Sequence, residues 1–289
     1  MERQSVSWGK NIHTPEFLDA HREWRFRKST LKKLRRKIFL PSGSSIIEIG
    51  CGTGVLCRCV KFLFPEVHVT GFDNEQLFID YANSKKRGCE FLLGDARNFN
   101  TQQKFDCVLS HTIMEYMDEK IFFNCAKRLL IDEGRLIVIS STPYGELNPV
   151  AWSPEIKEVE ELIKNHGKSV DLSSFIQVQG YKEQGIMEIF ERNGFVISEI
   201  SYIMNASVPF MMSLKELSQY KNVLKQYQMN RIETSVSLSD IVEEREKLRK
   251  IIGSYFDDLF QQEGVKYISD IEVLRIITAR KKASEHSYC

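Results

Sequence analysis

Residues 45–54 read Ser45-Ile-Ile-Glu-Ile-Gly-Cys-Gly-Thr-Gly54. Apolar residues of strand length run into glycines at every second position, and Val55 to Phe64 continue at helical spacing until Pro65. A strand that turns this abruptly into a helix needs residues without Cβ, because the backbone must take positive φ and let a ligand approach closely. The helix behind the turn offers unpaired N–H groups and the positive end of its dipole. Such a loop cradles a phosphate or the amino-acid part of a cofactor. The Gly-x-Gly-x-x-Gly/Ala spacing of dinucleotide-binding turns is not met, since Val55 stands at its third position. No Gly-Lys-Ser/Thr follows, so a nucleotide-triphosphate loop is excluded as well.

Outward from this turn, strand-like and helix-like runs alternate. Strands are expected at 67–72, 89–93, 105–110 and 135–140, and helices at 75–84 and 118–130, with Gly134 as the stop of the latter. Strands separated by helices of this length make right-handed βαβ units, hence a parallel sheet covered on both faces. A leading helix is expected over about 15–38. The alternation lapses after Thr142-Pro-Tyr-Gly145, where one amphipathic helix spans 155–166. It resumes with a helix at 183–193, Gly194 as its cap, and a strand at 195–203. A charged helical stretch precedes a last strand at 272–279.

With 289 residues, 42% hydrophobic and 27% charged at a net charge of +1, the chain reads as an ordinary globular protein with no global pull toward nucleic acid or membrane. No apolar run approaches the roughly 20 residues that span a bilayer, and Met1-Glu-Arg-Gln-Ser5 is not a secretory signal. Seven cysteines, most of them within strands and helices and none in zinc spacing, point to reduced structural thiols and a cytoplasmic location.

Two acids complete a ligand site with the loop. Asp73 closes the second strand, where a carboxylate accepts from both hydroxyls of a ribose, and Asp95 closes the third, where it accepts from an adenine amino group. The sequence Glu48-Ile-Gly50-Cys-Gly52-Thr-Gly54, with these acids in order behind it, is the pattern of S-adenosylmethionine enzymes. Residues 46–140 resemble the class I S-adenosylmethionine-dependent methyltransferases, in particular the ubiquinone and menaquinone methyltransferase branch. Phe105-Asp-Cys-Val-Leu-Ser110 is similar to the family's fourth strand, while Ile131-Asp-Glu133 departs from its usual Lys-Pro-Gly.

The resemblance implies an α/β fold, a Rossmann-like seven-stranded sheet with helices on both faces. It implies an antiparallel last strand and a helical insertion at about 204–268. Residues 1–41 and 146–182 then serve as helical cover and lid around a core of 42–145 and 183–289. The cofactor set is Glu48, Gly50, Cys51, Gly52, Gly54, Asp73, Asn74, Asp95, Ala96 and Ser110, binding S-adenosyl-L-methionine and its product S-adenosyl-L-homocysteine.

Methyl transfer from a sulfonium requires in-line placement and exclusion of water, with no metal, and in some cases removal of a proton. His111, directly after the fourth strand, is the candidate base; Glu115 and Tyr116 follow a turn later. Tyr144 and Trp152 offer an aromatic wall, and Arg25 or Arg27 a partner for the cofactor carboxylate. The expected acceptor is a small organic molecule, methylated on O, N or C. The basic stretch 21–37 keeps a nucleic-acid acceptor as the rival reading. A non-catalytic cofactor-binding or interaction module is the second rival, and the oligomeric state is left open.

Overall fold

Apolar runs such as Ile46-Ile47 and Leu136-Ile-Val-Ile139 have no polar side to leave in water, so the strands they form must be covered on both faces. The computed structural model describes residues 7–142, 154–167, 183–207, 212–235, 238, 241–258 and 270–282. Its strands are β1 (Ser45–Ile49), β2 (His68–Asp73), β3 (Glu90–Leu93), β4 (Phe105–His111), β5 (Leu130–Thr142), β6 (Phe195–Ser207) and β7 (Asp270–Lys281). They form one seven-stranded sheet in the order β3-β2-β1-β4-β5-β7-β6. The pairs from β3 through to β5 are parallel, and β7 runs antiparallel to β5, as the sequence led us to expect.

Contacts divide the chain into a sheet unit (Phe26–Tyr144, Leu172–Asn205, Glu272–Cys289) and a helical unit (Met1–Arg25, Gly145–Asp171, Ala206–Ile271). In the sheet unit, Ile46, Leu109, Ile137, Ile139 and Ile276 pack on α3 (Lys28–Lys37) and α4 (Val55–Leu63) through Leu34, Leu56 and Val60. On the other face, Ile47, Val108, Leu136 and Val138 meet α6 (Glu119–Leu129) and α8 (Glu183–Arg192) through Phe122, Phe123, Ile186 and Phe190. The Phe123 and Phe190 rings meet edge to face at 5.0 Å, a geometry that adds to their area burial.

The helical unit contains α1 (Trp8–Asn11), α2 (Pro15–Arg25), α7 (Pro154–His166), α9 (Leu214–Thr234) and α10 (Val242–Asp258). Ile156, Val159, Ile232, Leu248, Ile252 and Phe256 fill its core. Buried Asn230 on α9 accepts from the Thr14 backbone N–H at 2.7 Å and donates to the Ile12 carbonyl at 3.1 Å, fixing the start of α2. Ser213 and Glu216 form a reciprocal capping box at the start of α9. Ser213→Ala removes it and is expected to cost about 1 kcal/mol, read as a lowered unfolding midpoint. None of the described helices is long and apolar enough to cross a membrane.

Two local expectations are corrected. The expected helix over 15–38 is two helices, α2 and α3, because the chain turns at Phe26-Arg27 to send the Phe26 ring, 2% exposed, into the sheet unit's core. Gly134 does not stop α6, which ends at Leu129; β5 begins at once, and its register on β4 slips between Phe105 and Cys107. Gly134 sits in that irregularity, where a Cβ would meet the Leu130 side chain at 2.8 Å and the Ile131 carbonyl at 3.0 Å. A bulge that brings backbone this close excludes a side chain.

Candidate functional site

Parallel strands put all their carboxyl ends on one edge, so the residues that follow β1, β2, β3 and β4 gather there. After β1 the backbone takes left-handed φ three times, at Gly50 (+66°), Gly52 (+52°) and Gly54 (+76°), and α4 starts directly behind. The protein itself enforces two of these glycines. A Cβ on Gly50 would stand 2.5 Å from the Ile113 side chain, and one on Gly54 would stand 2.4 Å from the Phe91 ring. The loop is thus pressed between the segment after β4 and the ring on β3.

Asp73 holds the loop to the end of β2. One carboxylate oxygen accepts the Gly52 N–H at 2.9 Å and the other the Glu75 N–H at 3.0 Å, with the side chain 9% exposed. Burial outweighs these N–H bonds and raises the Asp73 carboxyl above its ordinary range. Below the loop, Gly71 lets β2 pass close: a Cβ there would meet Cys51 at 2.7 Å and the Cys57 sulfur at 2.9 Å. The Cys57 thiol donates to buried Glu48 at 3.0 Å. Burial first, and the neighbouring carboxylates second, push the Cys51 and Cys57 thiols far up, so both stay protonated. Glu48 and Cys51 therefore form the floor of the loop.

At the end of β3, Asp95 is half-buried and is paired through both oxygens with the Arg97 guanidinium, whose hydrogen bonds hold the carboxyl below its ordinary value. Ala96 is buried and its carbonyl accepts from Arg128 at 2.7 Å, while Asn74 is exposed beside Asp73. Phe99 lies flat on Phe72, with ring centroids 4.0 Å apart, in the space over Gly94 where a Cβ would meet that ring at 2.2 Å.

Ser110 and His111 end β4 on opposite faces. Ser110 is fully buried with no hydrogen-bond partner for its hydroxyl, and His111, 5% exposed, sets its ring edge-on to Phe26 at 4.8 Å. Glu115 and Tyr116 occupy the half-buried turn opened by Ile113. Arg27 follows Phe26 in the sheet unit, whereas Arg25, buried, belongs to the helical unit. Tyr144 and Trp152 lie outside the described residues.

The sequence reading missed Thr53 and Thr112. Thr53 sits between the last two glycines, 1% exposed, with no partner for its hydroxyl. Thr112 has φ +49° and a buried, unpartnered hydroxyl. No signal in the sequence marks a threonine for the left-handed region. Unpartnered hydroxyls at one sheet edge, beside a loop of left-handed backbone, fit a polar ligand with both donors and acceptors.

A family model described as a methyltransferase domain matches residues 40–194, and the chain belongs to this family. Malonyl-[acyl-carrier protein] O-methyltransferase 1 of Ilyobacter polytropus is 25% identical over 51% of this chain and 58% of its own length. Demethylmenaquinone methyltransferase of Thermotoga maritima is 24% identical over 39% of this chain and 50% of its own length. The chain thus spans about half the length of these curated relatives. A Thiobacillus denitrificans S-adenosylmethionine-dependent methyltransferase, solved with S-adenosyl-L-homocysteine, superposes with a TM-score of 0.51 at 14% identity, covering 94% of this chain and all of that one. That likeness concerns the fold.

Proposed function

We propose that the chain transfers a methyl group from S-adenosyl-L-methionine to O, N or C of a small organic acceptor. The observation that carries this reading is the loop of three left-handed glycines, tied to the end of β2 by the Asp73 carboxylate at 2.9 Å from the Gly52 N–H. Bound there, the sulfonium would supply an activated methyl that needs only an aligned acceptor. Gly50 to Gly54 and the start of α4 would hold the amino-acid end, with Thr53 as a hydrogen-bonding partner. Asp73 would accept from the ribose hydroxyls and Asp95, with Ala96 beside it, would serve the adenine. His111, whose ring meets Phe26 edge-on at 4.8 Å, is the candidate proton acceptor, and Glu115 lies in the next turn.

The relatives support a small acceptor, one named for malonyl-[acyl-carrier protein] and one for demethylmenaquinone. Against the nucleic-acid reading, two cations of α3 are committed within the sheet unit. Arg35 donates to the Leu63 carbonyl and stands 5.3 Å over the Phe64 ring, and Lys33 donates to the Met204 carbonyl at 2.7 Å. The test is S-adenosyl-L-homocysteine release with a malonyl thioester, a demethylated naphthoquinol and total RNA as acceptors. Release with a small acceptor and none with RNA is expected. Release with RNA alone would overturn the acceptor class.

A further inference from the structure

The amino edge of the sheet, opposite the glycine loop, carries a cavity of about 450 Å³. Strands β1, β4 and β5 begin at this edge, and antiparallel β7 ends there. Phe39, Asp106, Ile131, Glu133, Arg135 and Arg280 line the cavity, all of them within the sheet unit. Its volume is that of a small-ligand pocket.

The charges of this lining are not matched within the chain. Arg135 on β5 and Arg280 on β7 are direct cross-strand partners, so both side chains stand on one face, where like charges repel. Among the described residues neither guanidinium forms an ion pair. Asp106 gives one carboxylate oxygen to the Ser45 N–H at 2.7 Å and to the Ser45 hydroxyl at 2.8 Å, and Glu133 is exposed to water. The apolar part of the lining is also open. Phe39 is 70% exposed and Ile131 37% exposed. A single exposed ring is ordinary, but two apolar side chains in one cavity make an apolar wall. The Arg135 guanidinium stands 5.8 Å from the centroid of the Phe39 ring, within cation–π reach, which steadies that wall beside the positive charges.

A flat apolar wall next to two guanidiniums suits a ligand that joins a ring to an anion. The ring stacks on Phe39, and the anion takes the guanidinium donors. Two facing cations balance a dianion, which a phosphate monoester approaches at neutral pH and a carboxylate does not. We propose that this cavity binds a phosphate monoester carried on a flat ring, at a site separate from the carboxyl edge. The proposal does not depend on the methyl-transfer reading.

The test is calorimetry of the full chain with phenyl phosphate, set against inorganic phosphate, phenol and benzoate. Phenyl phosphate should bind, and each of the other three should bind about tenfold more weakly or less. Arg280→Gln should weaken phenyl phosphate by about tenfold or more. Its unfolding midpoint should hold or rise, because the substitution removes a repulsion. Phe39→Ala should bring phenyl phosphate down to the affinity of inorganic phosphate. Saturating S-adenosyl-L-homocysteine should leave phenyl phosphate affinity within about twofold. No binding of phenyl phosphate at millimolar concentration, undiminished binding in both variants, or displacement by S-adenosyl-L-homocysteine would overturn the proposal. Benzoate binding as tightly as phenyl phosphate would overturn the assignment of the anion as a phosphate.

Discussion

Gly54→Ala should destabilise the sheet unit by about 2–5 kcal/mol and abolish adenosyl-ligand binding. Two costs add. A residue with Cβ at φ +76° gives up about 1–2 kcal/mol, and a methyl placed 2.4 Å from the Phe91 ring overpacks a filled core by about 1–3 kcal/mol. Phe91 is 5% exposed on β3, with Ala82 of α5 (Gln76–Ser84) behind the same position, so the ring has little room to retreat. The control is Gly43→Ala, which has the same φ of +76° but nothing within 4 Å of its Cβ. It should carry only the backbone cost of about 1–2 kcal/mol and leave binding unchanged. Chemical denaturation of the pair separates strain from packing. Equal losses would mean that Phe91 gives way.

Asp73→Asn should weaken S-adenosyl-L-homocysteine by about a hundredfold or more, since one substitution removes a charged acceptor from the ligand and loosens the loop. An amide cannot accept with both ends, so either the Gly52 or the Glu75 N–H loses its partner. The same carboxylate sets a pH dependence. Its carboxyl is raised in the folded chain, so the folded state holds that proton more tightly than the unfolded state. The stability cost of ionising it is therefore absent below the unfolded value and complete above the folded one. Ribose hydroxyls donate to the ionised form. Ligand affinity should accordingly be full above the raised folded value and fall as the pH drops through it. Asp73→Asn should flatten that slope, and a slope unchanged by the substitution would assign it to another group.

The fold was legible where burial leaves a sequence no alternative. Ile46-Ile47, Val108-Leu109 and Leu136 to Ile139 are apolar on both faces, which in a chain of alternating elements means a parallel sheet. The glycine loop was legible because its spacing reports backbone conformation directly. The break at Phe26 was not, since Phe26 and Leu34 both suit one helical stripe and only the core decides which turn is interrupted. Gly134 misled for a similar reason: glycine after a helix marks a cap in sequence, whereas here it fits a bulge whose register is set by β4. Asp73 was legible as an acid closing the second strand, but its bonds to the Gly52 and Glu75 N–H groups depend on how β1 and β2 come together. Thr112 was invisible, because a left-handed threonine contradicts local preference and only its surroundings impose it.

The central claim is that the carboxyl edge of this sheet is a site for S-adenosyl-L-methionine. Titration calorimetry of the full chain with S-adenosyl-L-methionine, S-adenosyl-L-homocysteine and NAD tests it most directly. Saturable one-to-one micromolar binding of both adenosyl ligands and none of NAD is expected, with the adenosyl binding lost in Gly54→Ala and weakened about a hundredfold or more in Asp73→Asn. Absence of binding by either adenosyl ligand, or NAD binding at the same strength, would contradict it.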